Sequence, residues 1–328
     1  MNIAQAADLV DLSIQKVFAK SAEPEVLYKK YFNFRTTEDL YEKDSSLSGL
    51  GESDFVDENG VIQSDVPVQG YKKTYTQMMT GTIVSFTYQM WKFGIKKRDL
   101  NNAAKELKRA DARKREKLCA ERIDNAWSTS YSHTGQSGIK VISITGGDGL
   151  AAASNAHTRE DGGANMNNIV YDGTTYNLPL DYSGLKAAHR TAGLMVDPRG
   201  NPMIPDLNVL VVKKNSANAF KAKEIKKAIE KDRIPESNDN DGSGVPSFEI
   251  LELPYLQNAS YWAMFDKGLA LSDEAGFQFV ESQAAQLDPT NTVYKTKEIQ
   301  TSVTSLFDLG HNDVTRCWVF SKADRTTP

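Results

Sequence analysis

The sequence predicts a mixed α+β fold, and three stretches carry that expectation. The first is GYKKTYTQMMTGTIVSFTYQM from residue 70, rich in Thr, Tyr, Val, Ile and Phe and alternating as one or two strands do. The second follows it: residues 96–130, without Pro or Gly and dense in Ala, Leu, Lys, Arg and Glu, the strong helix formers. The third starts at Asp181, where helix-like and strand-like segments alternate.

The long helical stretch organises the rest. Small or apolar residues recur at Leu100, Ala103, Ala104, Leu107 and Ala110, and again at Leu118, Ile123, Ala126 and Trp127, with a polar stretch around Arg113 to Lys117. A helix of that extent is roughly 50 Å long at 1.5 Å per residue, so other elements must pack along it. Residues 96–117 hold ten Lys or Arg against four acids, a local net charge of +6. A solvated face laced with i,i+4 pairs is the favoured account. A sequence-independent nucleic-acid surface is the sharper alternative, although no aromatic residue interrupts the run to stack on bases.

The remaining elements follow in order. Residues 1–35 begin as an amphipathic helix on Ile3, Ala6, Val10, Ile14, Val17 and Phe18, which Pro24 breaks. An ordinary core helix and an arm laid on a neighbouring subunit both fit. Residues 36–69 are acidic and rich in Ser and Gly. The preferred account is a long extended hairpin turning near Asp57-Glu58-Asn59-Gly60, with a disordered linker as the alternative. GIKVISIT and NIVYDGTTYNL suggest strands. DYSGLKAAHRTAGLM suggests a helix, LNVLVV a buried strand, and NSANAFKAKEIKKAIEKD a helix opened by Asn215 or Ser216. FEILELPYL and SYWAMFDKGLALS suggest further strands, and the tail from Phe277 a hairpin or long strands.

Composition narrows the function. With 328 residues the chain is too long for one simple core, and its net charge of −4 argues against a general nucleic-acid magnet. No apolar run reaches bilayer length, and the first residues do not read as a secretory signal. Cys119 and Cys317 suggest no disulfide framework and read as small packing residues. The sequon at Asn258 is expected to be chance in an intracellular chain.

No catalytic or ligand motif assembles. Gly147-Asp148-Gly149-Leu150-Ala151-Ala152 matches G-x-G-x-x-A after a strand, yet a Gly- and Asn-rich stretch follows where a dinucleotide site needs a helix. The loop Ser237–Gly242 begins like a calcium loop but has Phe248 where a bidentate Glu belongs. His133, His157, His189 and His311 show no metal-ligand spacing. There is no phosphate loop and no nucleophile elbow. The expectation is therefore no enzyme, no catalytic, cofactor-binding or metal residue, and no cofactor.

The order of these elements, together with PDLNVLVV at 205–212, PYLQNA at 254–259 and WAMFD at 262–266, resembles the major capsid (head) proteins of tailed bacteriophages, which have the Hong Kong 97-type fold. The resemblance covers nearly the whole chain. It implies an N-terminal arm at 1–35 and an extended loop with adjoining strands at 36–94. It implies a peripheral domain from 95–177 and 271–328, with a spine helix at 95–131, and an α/β axial domain at 178–270. The implied function is self-assembly into hexamers and pentamers that form an icosahedral head enclosing the genome. Implied partners are other copies of the chain, a separate scaffolding protein, portal and decoration or cement proteins, and packaged double-stranded DNA held non-specifically, with no membrane. The implied location is the virion, with assembly in the host cytoplasm. Two alternatives stand beside it: an encapsulin-like compartment of the same fold, and a nucleotide-binding enzyme using the Gly147 region.

Overall fold

A computed structural model describes the chain except residues 1, 2, 22, 23, 48–52, 54, 57–59, 63, 68, 94–96, 160, 161, 198, 232–244, 274, 294, 327 and 328. Its elements in chain order begin with α1 (Ile3–Lys20), a 3-10 turn (Tyr28–Lys30), β1 (Asn33–Thr36), β2 (Tyr41–Leu47), β3 (Gln69–Thr76) and β4 (Met78–Thr87). Then come α2 (Tyr88–Phe93), α3 (Lys97–Asp124), β5 (Ser130–Gly135), β6 (Gly138–Ser143), α4 (Tyr182–Ala192), β7 (Val209–Lys213) and α5 (Ala217–Lys231). The chain closes with β8 (Glu249–Leu253), β9 (Trp262–Phe265), α6 (Lys267–Ala270), β10 (Phe277–Leu287), β11 (Asn291–Val293), β12 (Glu298–His311) and β13 (Trp318–Ser321).

Four sheets result. The largest orders β1-β10-β12-β11, with β4 also paired to β12. A second orders β13-β9-β7-β8, with β7 and β8 parallel. The hairpins β2-β3 and β5-β6 form the other two. The turn expected at 57–60 lies mostly outside the described residues, and the hairpin expected over 36–69 extends further than that: β2 pairs from Tyr41↔Thr76 to Leu47↔Gln69, so its return strand lies at 69–76.

The long helix is shorter than its sequence pattern. The span expected at 95–131 is helical over Lys97–Asp124 among the described residues, and Ser130 already starts a strand. Tertiary bonds end it: the Asp124 carboxylate accepts from Gln257 N at 2.6 Å and Asn258 N at 3.1 Å. The Ala126 carbonyl accepts from Ala153 N, and the Thr129 carbonyl from Ile144 N. Within the last turn the Glu121 and Ile123 carbonyls accept from Asn125 N and Ala126 N. The polar stretch also changes meaning. Arg115 and Glu116 are buried. Arg115 pairs with Asp111 at 2.7 Å and with Glu281, and lies over the rings of Phe279 and Phe307. Glu116 accepts the backbone N–H groups of Leu27 and Tyr28.

Two further expectations are corrected and two are refined. NIVYDGTTYNL forms isolated bridges rather than a strand. Within SYWAMFDKGLALS only Trp262–Phe265 is a strand; the Asp266 carboxylate then accepts from Gly268 N and Leu269 N and opens the short helix α6. The tail divides between the sheets: β10 and β12 join the large one, while β13 pairs antiparallel with β9. WVFS is buried at all four positions, which suits a strand covered on both faces. Ser216, not Asn215, caps α5, its Oγ accepting from Ala219 N at 3.1 Å; Asn215 takes a left-handed backbone at φ 57°.

One aromatic core joins the two large sheets and α3. Phe277, Phe279 and Phe307 come from β10 and β12, Phe265, Trp318 and Phe320 from β9 and β13, and Leu118, Cys119 and Ile123 from α3. Trp318 stacks on Phe265 at 4.3 Å and meets Phe277 edge-on at 5.1 Å. Tyr28, Tyr31 and Phe32 join this core, so the segment after Pro24 is anchored inside the chain by these three rings. A separate apolar layer packs α4 and α5 on the outer face of β7 and β9.

Candidate functional site

The chemistry of the chain concentrates where the hairpin β2-β3 meets the body. Tyr71 on β3, Asp148, His157–Arg159 and Met166 of the Gly-rich segment, and residues 311–315 from the last residue of β12 onward line one cavity of about 30 Å³. Glycine permits the approach. A Cβ on Gly147 would collide with Asn312 Oδ1 and lie 2.9 Å from Tyr71 Cβ, and one on Gly146 would lie 3.1 Å from His311 Nε2. The G-x-G-x-x-A motif is thus a packing turn, and no helix follows it among the described residues. The dinucleotide geometry, a pyrophosphate at a helix N-terminus, has no counterpart there.

Hydrogen bonds fasten the segments together. Gly147 N donates to Asn312 O at 3.0 Å, and Asn312 Nδ2 donates to Tyr71 O at 3.1 Å. Tyr71 Oη and Thr158 Oγ1 are 2.7 Å apart. Lys73 Nζ donates to Thr145 O at 2.6 Å, and Thr76 N donates to Asp308 Oδ2 at 2.9 Å. Tyr75 is fully buried.

Inside the cavity the His157 ring lies against a carboxylate. Its Nδ1 is 2.6 Å from Asp148 Oδ2, while Asp148 Oδ1 accepts from Leu150 N at 3.0 Å. Burial opposes ionisation of Asp148, but the bond and charge of His157 with the backbone donors hold its carboxyl below the usual range. His311 is 2 % exposed. Burial first, then Arg122, Lys73 and His157, hold its imidazole well below its ordinary value, so it is neutral at pH 7. His157 Nε2, both ring nitrogens of His311 and Asn312 Oδ1 are buried with no hydrogen-bond partner.

The four histidines are scattered in the sequence, yet the fold brings His157 and His311 into one cavity. The only sequence signal is that each neighbours residues apt for tight turns. His133 instead sits between Glu121, 2.6 Å from its Nδ1, and Lys114, 2.5 Å from its Nε2. His189 lies on α4, held below its ordinary value by burial. Among the described residues, no group of three or more His, Cys, Asp or Glu side chains could hold a metal ion. The calcium-like loop at 237–242 lies outside the described residues. Cys119 and Cys317 are free and fully buried, and burial pushes both thiols well up, away from the reactive thiolate. No described helix is long and apolar enough to cross a membrane.

The +6 stretch is mostly engaged within the chain. Arg109 and Arg113 pair with Glu106 at 2.7 and 3.2 Å. Lys108 donates to Ser21 O and sits over Phe18. Arg115 is interior, so the exposed basic face is narrower than the count of ten cations implies.

The hairpin beyond its root carries apolar side chains in water. Val61, Ile62 and Val66 are 83 %, 79 % and 68 % exposed. Asp65 and the Val66 carbonyl accept from Arg199, at 2.9 Å for the Nη2–Oδ1 bond and 2.7 Å for Nη2–O.

No known family profile and no curated protein matches the chain. Solved structures do. "Capsid of Ralstonia phage GP4" matches at 12 % identity over 94 % of this chain and 96 % of that one, with a TM-score of 0.55. "Capsid structure of the Cyanophage P-SCSP1u" matches at 10 % identity over 92 % and 89 %, with a TM-score of 0.51. A chain from Mycobacterium phage Cain matches at 12 % identity over 100 % and 99 %, with a TM-score of 0.50. Nearly end to end, then, this α+β chain has the fold seen in phage capsid structures.

Proposed function

We propose that the chain is the major capsid protein of a tailed bacteriophage, a Hong Kong 97-type subunit that assembles into hexamers and pentamers of an icosahedral head. The observation that carries this is the end-to-end likeness in fold to the capsid of Ralstonia phage GP4. The hairpin supports it: Val61, Ile62 and Val66 stand in water on the single chain, and such a surface is normally covered by a partner. In this reading 36–94 is the extended loop reaching a neighbour, α3 the spine of a peripheral domain, and the α/β unit near 178–270 the axial domain. The strand β13 adds a C-terminal edge to that unit. No catalytic role is assigned. A scaffolding protein, portal, decoration proteins and non-specifically held DNA are the expected partners, in a virion assembled in the host cytoplasm.

Negative-stain microscopy of the purified chain beside size-exclusion chromatography tests this, across salt, crowding agent and co-expressed scaffold. Closed shells, tubes or six-fold rings are expected. A small particle that never associates under any of these conditions would remove the capsid reading.

A further inference from the structure

We propose that the Asp148–His157–His311 cavity is an acid-sensitive latch that holds the root of the β2-β3 hairpin to the end of β12. The geometry joins the two. Asn312, next to His311, donates to Tyr71 O of the hairpin, and Gly147, next to Asp148, donates to Asn312 O. Thr158, next to His157, meets the Tyr71 hydroxyl. Any movement of either imidazole therefore moves a residue bonded to β3.

The cavity offers His311 no counter-ion. The Nδ1 of His157 faces the Asp148 carboxylate, and its Nε2 faces the cavity without a partner. Asn312 Oδ1 offers a lone pair, and neutral His311 offers one donor and one acceptor. A cavity of about 30 Å³ has room for about two waters, which would bridge these groups. A second proton on His311 converts its acceptor nitrogen to a donor and adds a buried charge. The groups facing it do not compensate. Arg122, Lys73 and His157 all oppose a positive charge there. Among the cavity's other charged groups Arg159 is also a cation. Asp148 already faces His157, and Asp313 already accepts from Thr315 and Arg316. Asp308 already accepts from Thr76 N and Leu309 N.

The sign follows from linkage. The closed state keeps His311 neutral, whereas an opened root exposes it to water, where its ordinary value is 6.5. Below that pH the open state binds a proton that the closed state excludes, so closure is lost as pH falls and is fully present above it. One excluded proton shifts the closed-to-open ratio by up to about tenfold per pH unit. This concerns the unassembled chain, so its failure would leave the capsid reading untouched.

Hydrogen–deuterium exchange on the full chain between pH 8 and pH 5, corrected for the intrinsic pH dependence of exchange, tests the latch. Protection of residues 69–76 should fall about tenfold or more between pH 6.5 and pH 5, while β7 and β9 stay protected. His311→Gln should flatten that profile, and His157→Gln should move its midpoint to lower pH. Circular dichroism establishes that each variant is folded, and if His311→Gln does not fold, His157→Gln decides. Hairpin protection independent of pH in the natural chain, or a folded variant that retains the natural profile, would overturn the proposal.

Discussion

Arg115 shows how one side chain ties α3 to the large sheet. It sits on a helix whose neighbouring positions carry exposed cations, yet its own side chain is 7 % exposed between Asp111 and Glu281. Burial works against the guanidinium charge, but the two carboxylates more than offset it and raise its affinity for the proton. Removing it leaves two buried carboxylates without a counter-ion. Arg115→Met is therefore expected to destabilise the chain by about 3–5 kcal/mol. Urea denaturation checks this, and a loss under about 1 kcal/mol would mean the pair is more hydrated than its burial implies. In sequence, Arg115 is indistinguishable from Arg113, three-fifths of whose side chain is exposed and which pairs with Glu106 in solvent. The local pattern cannot separate them, because what buries Arg115 is a strand 166 residues away.

Elements are held by the same kind of distant contact. The helix α1 docks on α3 through Ile14, which is fully buried with Phe86, Ala104 and Ile299. Asp11 adds bonds to the backbone and hydroxyl of Thr290 at 3.0 and 2.7 Å. Ile14→Ala removes most of that small cluster's filling. The expected cost is about 2–5 kcal/mol, concentrated in α1 rather than in the whole fold. Limited proteolysis should then cut first within residues 3–20, while the aromatic core around Trp318 stays protected. Uniform loss of protection would place α1 inside the main cooperative unit. The apolar spacing of α1 is legible in the sequence; whether it serves this chain or a neighbour is not, because spacing defines a face without naming what covers it.

Across the whole molecule, the hairpin and the core have separate duties. Replacing residues 48–66 by a short turn should leave the folded chain within about 1 kcal/mol of its natural stability. The deletion breaks the Asp65–Arg199 ion pair, which lies at the surface, where such pairs contribute little. Thermal or urea unfolding of the shortened chain checks this. The same change should abolish shells and rings in the microscope. Shells that still form would show that the exposed valines and isoleucine of the hairpin are not needed between subunits.

The α+β class, the hairpin, the long helix and the alternation of helix and strand after Asp181 are all legible in the sequence, because each depends on local periodicity and propensity. Helix ends and sheet membership are not. The Asp124 carboxylate at the end of α3 takes backbone donors at 257 and 258, and β13 pairs with β9 rather than with β10 or β12. The cavity is hidden for the same reason: His157 and His311 are distant in the chain, and neither carries a motif. Only the folded chain brings the two imidazoles together at the hairpin root. The tertiary structure decided these features because burial, unpaired polar atoms and charge neighbours are properties of contacts distant in sequence, whereas spacing along the chain records only which face of an element is apolar.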